Sequence, residues 1–165
     1  MAPAEIEITI SLRQQVLNLW RDGKCVKQYW ISTGANGIGQ VQGSGCTPRG
    51  RHIIRAKIGA GMPSGTVFKA RRVAQDVPVY SEQAAEAYPN RDWILSRILW
   101  LSGTELGYNR LGCVDTFRRY IYIHGTPDTH KLGEAASHGC IRMACKDVIE
   151  LFEIVSIGTF VTLHE

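Results

Sequence analysis

No run of apolar residues in this chain approaches the ~18 needed to cross a bilayer as a helix, and no Cys-x-x-Cys pair occurs. The five cysteines, Cys25, Cys46, Cys113, Cys140 and Cys145, are odd in number and irregularly spaced. That argues against a disulfide framework and for a reducing compartment. An excess of one charge is also missing. Lys and Arg total 19 against 15 Asp and Glu, a net charge of +4, and the basic clusters are only the pairs Arg71-Arg72 and Arg118-Arg119. Such pairs read as solvated surface rather than as a nucleic-acid footprint. The first residues, Met1 to Ile8, lack both the basic n-region and the apolar h-region of a signal peptide. The expectation is therefore a cytoplasmic protein; trimming of a native leader would leave the same residues in a periplasmic one. Nothing reads GxxxxGK[ST], so the stretch containing Gly34, Gly37, Gly39, Gly43 and Gly45 is not a P-loop.

What is present suits one soluble globular domain, residues 1–165, with 44% hydrophobic and 21% charged residues. No repeat, low-complexity tract or domain boundary interrupts it. Residues 5–10 alternate polar and apolar, with Ile6, Ile8 and Ile10 on one face of a half-buried strand. Residues 15–20 and 24–32 read as two more strands, joined by the hairpin signal Asp22-Gly23. The glycine-rich connection follows and ends in a turn at Thr47-Pro48-Arg49-Gly50, after which residues 51–58 resume as strand. Residues 59–92, with Pro63, Pro78 and Pro89, are the least regular, with a short helix expected around 81–87; an insertion of this length reads as a lid, a binding loop or a surface excursion. Residues 93–101 and 120–123 read as inner strands. In 147–155, Val148, Ile149, Leu151, Phe152 and Val155 form one apolar stripe of a helix, and 159–163 closes the chain as a strand. The fold class is mainly β with one principal helix.

Two segments concentrate reactive side chains. In Ile121-Tyr122-Ile123-His124-Gly125-Thr126, His124 stands where an apolar strand meets an expected glycine turn. The second is Ser137-His138-Gly139-Cys140-Ile141-Arg142-Met143. A thiol attacks as its thiolate, so it needs a nearby base and gains from a nearby cation; histidine serves both near neutral pH. Glycine just before the cysteine lets successive backbone N–H groups converge, the raw material of an oxyanion hole. A metal site built from His124, His130, His138 and Cys140 is a competing reading, although no carboxylate or second cysteine sits at familiar ligand spacing. Cys25, Cys46, Cys113 and Cys145 read as small buried hydrophobes.

These segments resemble the YkuD-type L,D-transpeptidase catalytic domain, whose pattern is a histidine followed about sixteen residues later by the cysteine of [Ser/Thr]-His-Gly-Cys. His124 and Cys140 are sixteen apart. The resemblance extends to Thr47-Pro48-Arg49-Gly50, to residues 98–103 and 109–115, and to Ile141-Arg142-Met143; residues 62–92 are the least anchored by it. It implies a β-sandwich or barrel-like fold and no cofactor or metal. It also implies peptidoglycan stem peptides as partners, with no nucleic acid and no membrane. Cys140 would attack the carbonyl at the L-centre of diaminopimelate in a stem tetrapeptide, releasing D-alanine and leaving a thioester. His124 would be the base, with the Gly125 carbonyl holding its tautomer, at a position where some relatives have serine. Backbone N–H groups of Gly139 and Cys140 would form the oxyanion hole. His138 and Arg142 would contact substrate, Arg142 through a carboxylate or else as an anchor of the turn, and Ser137 would fix the loop.

The motif leaves the acyl acceptor open. With no leader in view, the expectation is a cytoplasmic L,D-carboxypeptidase that trims recycled muropeptide tetrapeptides to tripeptides. The alternative is an L,D-transpeptidase forming 3-3 cross-links, and a catalytically idle peptidoglycan-binding domain is a third reading. Carbapenems are expected to acylate Cys140.

Overall fold

The computed structural model describes residues 2–165, and its first strands follow from side-chain alternation. β1 (Ile6–Ser11) buries Ile8 and Ile10 and exposes Glu7, the period of two expected of a sheet with one face on a core. β2 (Val16–Arg21) runs antiparallel to β1, and β3 (Lys24–Ser32) returns on β2. The reversal between them places Asp22 at φ 49° and Gly23 at φ 75°, the paired left-handed geometry of a tight hairpin. β4 (Gly50–Ile58) follows the glycine-rich loop.

The segment 59–92 contains a small hairpin, β5 (Val67–Lys69) and β6 (Arg72–Val73), and the helix α1 (Glu82–Ala87). Ser81 caps α1, its Oγ accepting from the Ala84 N–H at 3.0 Å, one of the orphan donors of a helix start. β7 (Ile94–Gly103) carries the hairpin on its N-terminal half and pairs with β4 and β8 (Tyr122–Thr126). β9 (Ile141–Ala144), α2 (Cys145–Ile154) and β10 (Phe160–His164) complete the chain.

The strands form one sheet in the order β4-β10-β1-β2-β3-β9-β8-β7-β5-β6, and the additional β4–β7 pairing closes the first eight into a barrel. Closure removes the open edges of those strands. Two pairs are parallel, β1–β10 and β8–β9. The apolar stripe of α2 enters the core: Val148, Leu151, Phe152 and Val155 join Ile8, Ile10, Leu17, Ile31, Leu99, Ile123 and Ile141 in one buried cluster. Each such side chain contributes about 1.5–3 kcal/mol relative to exposure, which fixes the helix to the sheet. Lys57 Nζ donates to the carbonyls of Phe152 and Val155, both at 2.7 Å, and so satisfies the C-terminal end of α2.

The structure is mainly β with one principal helix, as the sequence predicts, but several local readings change; of the four cysteines expected to be buried, Cys25 and Cys113 are exposed and Cys46 and Cys145 half-buried. The strand expected at 120–123 runs on through His124 and Gly125 to Thr126, so no glycine turn follows the histidine. A Cβ at Gly125 would lie 2.6 Å from the Leu95 carbonyl oxygen and 3.0 Å from Cys145 Sγ. Glycine there permits close strand approach, not chain reversal. β9 has only four residues, too few to show a period of their own.

Candidate active site

β8 and β9 run parallel, with Ile123 opposite Ile141 and His124 opposite Arg142. Cys140 immediately precedes β9 and therefore lies beside the start of β8. Its thiol is bracketed by backbone: the Tyr122 N–H donates to Sγ at 3.3 Å, and the S–H donates to the Tyr120 carbonyl at 3.3 Å. His124 is fully buried. Its Nδ1 is 2.8 Å from the Gly125 carbonyl oxygen, so Nδ1 carries the proton and Nε2 keeps its lone pair. Nε2 is buried and has no hydrogen-bond partner among the described residues. The expected base and nucleophile thus lie on β8 and just before its neighbour β9, without being hydrogen-bonded to each other. Opposite them, β7 shifts register between Leu95 and Ile98 and Ser96 adopts φ 72°, a bulge of the kind that accompanies active sites.

Burial pushes the Cys140 thiol up to about 12, against the opposing pull of the Tyr122 N–H and the Arg142 and Arg119 charges. Burial also lowers His124, only partly offset by its bond to the Gly125 carbonyl. At neutral pH the resting pair is therefore a thiol and a neutral imidazole, with the imidazole free to accept a proton.

The loop before Cys140 is fixed from three directions. Ser137 Oγ donates to the Cys140 carbonyl at 2.6 Å and accepts from the Gly139 N–H at 3.1 Å. Thr47 Oγ1 donates to the Gly139 carbonyl at 2.8 Å and accepts from the Gly34 N–H at 2.8 Å. Gly139 itself has φ 123°, a conformation that strongly favours glycine. Its expected part in an oxyanion hole changes accordingly. The Gly139 N–H is engaged by Ser137, and the backbone donor that reaches the sulfur is that of Tyr122.

Arg142 fits the anchoring one of its two expected roles. Only 6% of it is exposed, and its Nη2 already holds a carboxylate, Asp92 Oδ1 at 2.8 Å, while Nη1 donates to the Ala136 carbonyl at 3.3 Å. Its fork is engaged internally and ties the end of the 59–92 segment to β9. The exposed ring of His138 meets the other oxygen of Asp92, with Nδ1 at 3.3 Å. Asp92 escapes a reading of the sequence because its two partners lie about fifty residues away with no local pattern linking them. Thr47 was visible only as part of a turn motif.

The thiol opens on a cleft of about 280 Å³, walled by Phe68, Arg71, Asp92, Arg119, Tyr122 and His138. Arg71 lies 5.1 Å over Trp100 and 4.8 Å over Tyr120 and donates to the Tyr122 hydroxyl at 3.1 Å. The irregular segment thus supplies one wall of the site. Two more clefts meet the first at His138. One, of about 400 Å³, includes Asp92, Asp128, Lys131 and Arg142; the other, of about 390 Å³, includes Gln42, Arg118, Arg119 and Tyr120. Among the described residues no three or more His, Cys, Asp and Glu side chains come together as a metal donor set. His130, in a short 3-10 turn at Thr129–Lys131, is not joined to His124, His138 and Cys140 in one.

Comparison with known proteins points the same way. A 47-residue stretch is 51% identical to a Bacillus subtilis protein that carries the name L,D-transpeptidase YkuD, covering 28% of this chain and 29% of that one. An L,D-transpeptidase from Mycobacterium smegmatis superposes with a TM-score of 0.58 at 17% identity, over 98% of this chain and 59% of that one. L,D-transpeptidase 3 from Mycobacterium tuberculosis, solved with a faropenem-derived adduct, gives a TM-score of 0.59 at 17% identity, over 98% and 61%. This chain therefore spans about three fifths of those structures, and at such identity they show a shared fold. The family model of the L,D-transpeptidase catalytic domain, YkuD, matches residues 5–163. The chain belongs to the YkuD family of L,D-transpeptidase catalytic domains.

Proposed function

We propose that the protein cleaves the L,D-peptide bond between diaminopimelate and D-alanine in peptidoglycan stem tetrapeptides, through a thioester on Cys140 that water resolves. The observation that carries this reading is the pairing of a cleft-facing thiol with a buried histidine whose Nε2 is unpartnered and whose tautomer is held by the Gly125 carbonyl. As peptide enters, Sγ leaves the Tyr120 carbonyl and turns toward His124. Nε2 takes the thiol proton while sulfur attacks the carbonyl carbon, and the Tyr122 N–H is available to the developing negative charge. The imidazolium then protonates the amine of departing D-alanine. Water, deprotonated by the same imidazole, releases the tripeptide.

Water is favoured as acceptor by the cleft that contains Arg118 and Arg119 and no acidic residue, a poor host for a cationic amine. All five cysteines are free, which supports a reducing compartment and, with it, a cytoplasmic role in trimming recycled muropeptides. A second reading, 3-3 cross-linking, draws support from the match of residues 5–163 to the L,D-transpeptidase catalytic domain. Mass spectrometry of a disaccharide tetrapeptide incubated with the protein tests both. Tripeptide with free D-alanine is the expected product. A dimer joined through two diaminopimelate residues would replace hydrolysis by transpeptidation, and no reaction would refute both.

A further inference from the structure

Arg119 borders both the thiol cleft and the cleft of Gln42 and Arg118. The side chain is half-buried and held by four bonds to neutral groups. Nη1 donates to the carbonyls of Gly39 and Gln40, both at 3.1 Å, and Nη2 to the Cys46 carbonyl at 2.6 Å and to Ser44 Oγ at 3.4 Å. Among the described residues no carboxylate forms an ion pair with it, whereas the other buried arginine of the site, Arg142, has Asp92. Carbonyl dipoles position a guanidinium without neutralising it, and a cation withdrawn from water is costly until an anion compensates it. Arg71, which also borders the thiol cleft, differs: its guanidinium lies over the faces of Trp100 and Tyr120.

The open edge of Arg119 also suits an anion. Its Nε–H has no hydrogen bond among the described residues, and the neighbouring Nη2 makes its longest contact, 3.4 Å, to the Ser44 hydroxyl. That edge offers the free Nε–H, and a carboxylate that displaces the long Ser44 contact takes the parallel Nη2–H as well, in bidentate fashion. Arg119 is bonded directly to Tyr120, whose carbonyl holds the Cys140 thiol. Cation and nucleophile therefore border the same small cleft. In a tetrapeptide cut at its last bond, the terminal carboxylate lies one residue beyond the scissile carbonyl, a span of about 3.3–3.6 Å along the chain.

We propose that Arg119 holds the C-terminal carboxylate of the peptide and so restricts cleavage to the terminal residue, an inference that rests on the L,D-peptidase reading above. Its loss weakens capture of substrates with a free terminus far more than it alters the thiol, on which the Arg119 charge is one of several opposing influences.

The test is a cycle of four measurements: kcat/KM of the wild type and of Arg119→Gln on a stem tetrapeptide and on the same peptide with a C-terminal amide. Amidation is expected to lower wild-type kcat/KM by roughly 10–100-fold, the strength of a hydrogen-bonded charge, mainly through KM. Arg119→Gln should lose as much on the free acid and change little on the amide, and Arg119→Lys should recover part of the loss on the acid only. Because the Arg119 charge favours the Cys140 thiolate, iodoacetamide alkylation of Cys140 should slow modestly in Arg119→Gln, and only the loss on the acid beyond that on the amide measures carboxylate capture. Equal proportional losses on acid and amide, as a merely loosened 39–46 loop would give, overturn the proposal, as does a loss that follows Cys140 alkylation. A wild-type protein that releases D-alanine from neither peptide overturns the peptidase reading and this proposal with it.

Discussion

At the scale of residues, the burial that makes Cys140 and His124 a neutral pair also governs how the site responds to reagents. With the thiol pushed up to about 12, alkylation of Cys140 by iodoacetamide should climb steadily with pH and show no plateau below pH 10. A plateau near neutrality would reveal a preformed thiolate–imidazolium pair instead. Cys140→Ala should abolish turnover with an unchanged circular dichroism spectrum, and His124→Ala should lower kcat about 10²–10⁴-fold, the usual cost of a positioned base. Gly125→Ala is expected to destabilise by ~1–3 kcal/mol, because its Cβ would press on the Leu95 carbonyl and Cys145 Sγ; thermal unfolding measures it. Cys140 and His124 draw attention in the sequence because a short motif and a fixed spacing mark them. Asp92, Arg119 and Thr47 carry no such mark. Their importance arises from contacts made across fifty to ninety residues of chain, and those contacts exist only after the barrel closes.

At the scale of elements, the catalytic loop owes its shape to a neighbour rather than to itself. Thr47 bridges the Gly34 N–H and the Gly139 carbonyl, so Thr47→Val leaves both groups short of a partner in a buried place. That should cost about 1–3 kcal/mol and lower kcat more than it raises KM, since the loop displaced is the one that carries Cys140. Long strands and the amphipathic helix were legible because their burial follows a period: β1, β3 and α2 fall within two residues of their expected limits. The short ones were not. β5, β6 and β9 have between two and four residues, and each exists because a neighbouring strand offers an edge. The sequence predicts a shorter β8 because glycine signals a turn more often than a close approach.

At the scale of the whole molecule, barrel closure leaves titratable groups sealed in the interior, and acid sensitivity follows. His52 is fully buried, with Nε2 2.8 Å from Thr116 Oγ1, and burial lowers it from 6.5 to about 4. The folded-state value lies below the unfolded one, so this contribution is complete above about pH 6.5, is lost as pH falls, and is gone by about pH 4. Over that window the loss amounts to roughly 3 kcal/mol, with His124 acting in the same direction. Urea unfolding across pH 4–7 should show it, and His52→Gln should flatten the slope. A slope unchanged by that substitution would assign the acid sensitivity to other groups.

The most direct test of the catalytic assignment is peptide mapping by mass spectrometry after incubation with a carbapenem, for the wild type and for His124→Ala. One adduct is expected, on the peptide containing Cys140, forming at least tenfold more slowly in the variant. An adduct on Cys46 or Cys145, or none at all, would contradict the assignment of Cys140 as nucleophile.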